Sequence, residues 1–122
     1  MMLGRAINAA LGERIGIERF ADATVPMDEA LARAAIDLSG RPWPAIDLGL
    51  RREMLGGIAC ENLVHVLTTL AIELRAAVHI DVLKGRNDHH RAEAAFKALA
   101  IAMRRAVTRT RSEVVPSTKG VL

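Results

Sequence analysis

Residues 60–107 read CENLVHVLTTLAIELRAAVHIDVLKGRNDHHRAEAAFKALAIAMRRAV, and the fold turns on this stretch. Leu63, Val66, Leu67, Leu70 and Leu74 recur at three-to-four spacing, which predicts a helix over Cys60 to Arg75. Ala77 to Leu83 then alternates around Val78, Ile80 and Val82, the pattern of a strand. Lys84-Gly85-Arg86-Asn87-Asp88 is a turn in which Asn87 or Asp88 can cap the helix that follows. That helix is expected from about His89 to Val107, with Ala94, Phe96, Leu99, Ala100 and Met103 mostly inward. Helix, strand and helix laid on a sheet make an α+β protein of two layers.

Upstream, Leu3, Ile7, Ala10 and Leu11 outline a short amphipathic helix that Gly12 stops. Ile15 to Val25 is β-like, with Pro26 closing it. Met27 to Leu38 is contested. Its composition favours a helix, while from Leu31 onward apolar and polar residues roughly alternate. Ser39-Gly40-Arg41-Pro42 is a turn leading into a short extended piece that contains Pro44. The tail from Arg109 to Leu122 reads as an ordered loop around Pro116-Ser117-Thr118-Lys119-Gly120.

The 122 residues suit one domain, and 51% hydrophobic with 25% charged residues is a globular balance. No uncharged apolar run approaches the roughly 18–20 residues of a membrane span. Met1 to Gly12 is too weakly patterned for a secretory signal. The single cysteine, Cys60, excludes an intrachain disulfide and a multi-cysteine metal site, reads as a small core residue, and fits a cytoplasmic location. Aromatics are only Phe20, Trp43 and Phe96, too few for the stacking platforms of single-stranded nucleic-acid binders. A net charge of +3 leans toward anionic partners such as phosphates.

Chemistry concentrates in Asp88-His89-His90-Arg91-Ala92-Glu93-Ala94-Ala95-Phe96-Lys97. On a helix His89 and Glu93 share a face, as do Glu93 and Lys97, while His90 lies about 100° round the axis from His89. Imidazole with carboxylate suits Mn, Fe or Zn, and adjacent histidines can point at two different metals. The same residues also describe a solvated helix start with two surface histidines and a Glu–Lys pair. His65 could converge as a further ligand if the two helices pack, and His79, between Val78 and Ile80, is expected to satisfy its polarity locally. Ser117 and Lys119 form a small polar loop of the type that holds a phosphate, and equally of the type that ends a chain. Arg19 and Arg41 are two further cations beside turns. Arg104, Arg105, Arg109 and Arg111 make a basic helix end favourable toward the helix dipole.

Several ordered blocks together resemble imidazoleglycerol-phosphate dehydratase of histidine biosynthesis. They are Leu3-Gly4-Arg5-Ala6, Gly16-Ile17-Glu18-Arg19-Phe20, Val25-Pro26-Met27-Asp28-Glu29-Ala30, Asp37-Leu38-Ser39-Gly40-Arg41-Pro42, the run from Gly85 to Ala98, and Pro116 to Leu122. The resemblance implies a hydro-lyase, normally with two manganese ions, that converts D-erythro-imidazole-glycerol phosphate to imidazole acetol phosphate. It assigns His65, His89, His90 and Glu93 to metal, with Glu93 and Lys97 at the reacting centre. Arg19, Arg41, Ser117 and Lys119 fall to the substrate phosphate. It also implies a two-layer α/β sandwich of the ribosomal protein S5 domain 2-like type: strands, then helix, strand and helix with a left-handed crossover. In that fold Ala30 to Leu38 is a strand. Residues 1–14 correspond to the last helix of a first half-repeat and 15–122 to the second half. Self-association into a large, symmetric homo-oligomer is implied as well.

The family carries a first His-His-x-x-Glu-Asp motif before the position of Leu3, so the resemblance covers the C-terminal two-thirds of a member and half of its metal shell. Three readings stay open: a dehydratase continuing upstream, a truncated copy without activity, or a half-enzyme completed by another chain. A non-catalytic assembly or nucleic-acid-binding module on the same fold is the alternative class. Its basic end speaks for it, and the low aromatic count and the intact Pro116 to Leu122 loop speak against it.

Overall fold

From Ala30 to Asp37 the contested stretch is a strand, and the sheet is built around it. The structure is a computed structural model that describes residues 2–110. Helix α1 (Met2–Leu11) precedes strands β1 (Phe20–Met27), β2 (Ala30–Asp37) and β3 (Trp43–Asp47). A two-stranded hairpin, β4 (Met54–Leu55) with β5 (Ile58–Ala59), leads into α2 (Cys60–Leu74), β6 (Ala77–Lys84) and α3 (Asp88–Ala106). The main sheet runs β1-β2-β6-β3, antiparallel except where β3 pairs in parallel with β6.

In β2, Ala30, Ala32, Ala34 and Ile36 are buried while Leu31, Arg33, Ala35 and Asp37 face the other side. Helix propensity yields here because β2 is hydrogen-bonded on both edges and buries one face under α3, a context that outweighs alanine's preference. The extended reading of Ile15 to Val25 needs correction. Arg14, Gly16 and Arg19 have positive φ, and this stretch makes a single bridge, Ile17 to Arg109, before β1 begins at Phe20. Nor does Pro26 end the strand. It pairs with Leu31, which an edge strand such as β1 tolerates.

Alanine also sets how α3 sits. Ala94, Ala98, Ala102 and Ala106 repeat every four residues and are fully buried, facing a sheet whose own surface is Ala23, Ala32 and Ala34. Small residues on both sides let helix and sheet approach closely, which leaves no room for a ring. Phe96 and Ala100, expected inward, therefore lie outward, with Phe96 36% exposed.

Helix α2 buries Leu67, Ala71 and Leu74, and α1 packs on it through Gly4, where an added Cβ would stand 2.7 Å from Glu73 Cβ. Arg14 is buried and closes the C-terminal end of α2, donating to the carbonyls of Leu74 (2.6 Å) and Arg75 (3.1 Å) and to Asn8 Oδ1. Cys60 is buried, in keeping with a core role. Among the described residues, no helix is long and apolar enough to cross a membrane. Helices cover one sheet face. On the other, Phe20, Asp37, Ala77 and Trp43 form one cross-strand row, with Phe20 63% and Trp43 64% exposed.

Candidate metal centre

The loop that delivers α3 is held from three sides. Gly85 has φ +148° and passes so close to Ala30 that an added Cβ would meet its Cβ at 2.8 Å, so a side chain there is excluded. Asn87 caps the helix, its side chain accepting from the His90 N–H at 3.2 Å. Asp88 is buried, and its Oδ2 accepts from the backbone N–H groups of Arg51 (2.8 Å) and Arg52 (2.7 Å). Arg91 donates to the carbonyls of Leu48 (3.0 Å) and Gly85 (2.9 Å). Glu29, in the two-residue turn between β1 and β2, accepts through Oε2 from Arg86 N–H (2.6 Å) and Asn87 N–H (3.0 Å).

Two imidazole–carboxylate pairs form around this anchored start of α3. His89 Nε2 lies 3.0 Å from Glu93 Oε2, and the other Glu93 oxygen is 2.6 Å from Lys97 Nζ. The hydrogen bond from Lys97, opposed in part by desolvation and aided by the charges of Lys97 and His89, holds the Glu93 carboxyl below the usual range. His90 turns the other way. Its Nδ1 meets Glu29 Oε1 at 2.5 Å, while Nε2 is 3.7 Å from Asp28 Oδ2. The hydrogen bond to Glu29 raises the His90 pKa against desolvation, with the charges of Glu29, Asp28 and Glu93 adding to it. Glu29 itself is lowered to about 2, chiefly by the Asn87 N–H, then by His90 and the Arg86 N–H. The two rings are 6.3 Å apart at 71°, so they address different points in space.

His89 and Glu93 border a groove of about 750 Å³ whose apolar wall includes Leu55, Ile58, Leu63 and Phe96. His65 does not join them. It is exposed on α2, two residues and so about 200° round the helix from the groove-lining Leu63. Among the described residues, no three His, Cys, Asp or Glu side chains gather into a metal shell. His79 is exposed on the outer sheet face, away from α3. Arg19 is buried and paired with Asp37, and Arg41 is exposed in its turn. Both lie at the far end of the β1–β2 hairpin, separated from the Glu29 turn by eight-residue strands, roughly 23 Å. Ser117, Lys119 and Arg111 lie outside the described residues. Arg105 is used within the chain, donating to the Asp22 carbonyl at 2.7 Å.

Spacing gives Asp28 and Glu29 no role, and Asp88, a possible cap by sequence, instead holds the Arg51 and Arg52 N–H groups while Asn87 caps. A polar Asp-Glu pair looks like any turn until β1 and β2 pair and carry it to the start of α3, 61 residues away from Glu29's partner His90.

Fold and site together define an α+β protein that presents two imidazole–carboxylate pairs of a donor type suited to divalent transition-metal cations. A model of the family described as imidazoleglycerol-phosphate dehydratase matches residues 1–103, and the chain belongs to that family. It is 51% identical over all 122 residues to the imidazoleglycerol-phosphate dehydratase of Eremothecium gossypii, covering 56% of that protein. Against the Saccharomyces cerevisiae protein of the same name it is 50% identical over 98% of its length, covering 54% of the relative. The chain thus spans about half the length of the curated relatives it matches. The crystal structure of the Staphylococcus aureus dehydratase superposes with a TM-score of 0.86 at 33% identity, over 89% of this chain and 64% of that one. A Pyrococcus furiosus dehydratase structure in complex with (S)-C348 gives 0.81 at 41%, over 98% and 68%.

Proposed function

We propose that residues 1–122 supply one ligand set and part of the phosphate grip of a manganese-dependent imidazoleglycerol-phosphate dehydratase that assembles its sites between copies and works in the cytoplasm. The observation that carries this reading is the pair of divergent sites at the start of α3, His89 with Glu93 and His90 with Glu29 of the β1–β2 turn. Their donor chemistry fits manganese, and their number falls short of a full shell, since manganese takes about six ligands. His89, His90 and Glu93 would hold metal from α3 and His65 from α2. When bound, the metal draws charge from the substrate imidazole and eases proton loss from the glycerol chain. Lys97, whose Nζ lies 2.6 Å from Glu93 Oε1, stands beside that centre. Arg19, Arg41, Ser117 and Lys119 are the residues proposed to hold the substrate phosphate, fixing the reacting carbons by binding at a distance from them.

Within one chain Arg19 and Arg41 stand roughly 23 Å from His90, too far for one small substrate to touch both ends. A phosphate grip from one copy beside metal ligands from another resolves this, as it does the placement of His65. The test is imidazole acetol phosphate formation with manganese and substrate, using the 122-residue chain alone and with a separate polypeptide carrying the family's first His-His-x-x-Glu-Asp motif. Manganese binding by the chain alone, with turnover on supplementation, is the expected result. Failure to bind manganese at millimolar concentration overturns the reading.

A further inference from the structure

Two roles meet in Glu29, and only one is structural. Its Oε2 accepts both loop N–H groups, from Arg86 and Asn87, which suffices to tie the β1–β2 turn to the start of α3. Oε1 takes no part in that tie and meets His90 Nδ1 instead. We infer that Glu29 is a positioning residue that fixes the tautomer and aim of His90, so that Nε2 presents its lone pair outward. The inference deepens the dehydratase reading and rests on it for its purpose, though not for its geometry.

The argument is one of donors and acceptors. An ionised carboxylate only accepts, so the ring nitrogen facing it must carry the proton. In the neutral imidazole that puts N–H on Nδ1 and leaves Nε2 unprotonated, the form a metal requires. Because Oε2 is pinned by two backbone N–H groups, the carboxylate cannot rotate away from the ring. Nε2 has Asp28 Oδ2 at 3.7 Å, beyond hydrogen-bond length, so no hydrogen bond to that carboxylate holds a proton on Nε2. His89 is arranged differently, meeting Glu93 through Nε2 itself. Carboxylates behind a ligating imidazole hold the ring's tautomer and orientation in metal sites generally, and losing one costs about 10–100-fold in metal affinity.

Glu29→Gln separates the two roles. The amide oxygen can still accept from Arg86 and Asn87, keeping the loop, but its NH₂ then faces Nδ1 as a donor and demands an acceptor there. The His90 proton should move to Nε2. Ring ¹⁵N NMR on the metal-free chain, at a pH where the imidazole is neutral, should show the Nδ1–H form in the wild type and the Nε2–H form in E29Q. The His89 signals and the circular dichroism spectrum should stay unchanged. Manganese affinity, measured by electron paramagnetic resonance of free ion, should fall about 10–100-fold. An Nε2–H tautomer in the unmutated chain overturns the inference without any variant, and an unchanged tautomer in E29Q overturns it as well. Inversion of the tautomer with no manganese binding by either protein upholds the positioning of His90 and refutes the metal reading, so the two fail separately.

Discussion

Arg19 grips Asp37 through two parallel hydrogen bonds, Nε to Oδ1 at 2.8 Å and Nη2 to Oδ2 at 3.1 Å, across the mouth of the β1–β2 hairpin. The arginine is buried, has φ +77°, and its backbone N–H donates to the Ala106 carbonyl while its carbonyl accepts from Leu38. Charge-assisted bidentate contacts are among the stronger hydrogen bonds, and Lys cannot reproduce the fork. Arg19→Ala should lose about 1–3 kcal/mol of stability in urea unfolding, and Arg19→Lys should recover only part of it.

Close approach governs the α1–α2 contact. At Gly4 an added Cβ would meet Glu73 Cβ at 2.7 Å and the Leu70 carbonyl oxygen at 3.2 Å, both fixed parts of α2. Gly4→Leu should push the helices apart and cost about 1–3 kcal/mol despite the better helix propensity of leucine. Urea titration of the two proteins checks it, and equal midpoints would show that α1 detaches freely.

Asp88 makes stability depend on acid. Burial alone would push its carboxyl up, but the N–H groups of Arg52 and Arg51 and the charges of Arg52 and Arg91 outweigh that and hold it below the usual aspartate range. With the folded pKa depressed, the unfolded chain binds the proton more readily. The stabilisation is therefore complete above the ordinary aspartate pKa, about 3.9, and is lost as pH falls through the folded value. Asp88→Asn keeps an acceptor for both N–H groups and removes the charge, so its stability should vary less than the wild type's between about pH 5 and pH 2.

Exposed apolar surface argues for association. Phe20 and Trp43 stand on the bare sheet face, while Met2, Leu3 and Phe96 are exposed on the helical side. Surface of this kind favours burial against another chain. Sedimentation at micromolar concentration should give a mass above that of one chain, and a sharp monomer boundary would contradict this.

Periodicity reaches the elements that bury a face over a long run. Leu63 to Leu74 reveals α2, Val78 to Val82 reveals β6, and Asn87 with the His-His-x-x-Glu run reveals the capped start of α3, because each signal lies within a few residues of its consequence. The pairing of His89 with Glu93 and of Glu93 with Lys97 belongs to the same kind, being one helical turn long. Tertiary structure decided the rest. Ala30–Asp37 is a strand because β1 and β6 flank it, and Phe96 faces out because Ala32 and Ala34 leave α3 no depth for a ring. Glu29 reaches His90 only because a hairpin turn and a helix start, 61 residues apart, meet at one corner. Such contacts depend on which backbones lie side by side, and local residue spacing carries no record of that.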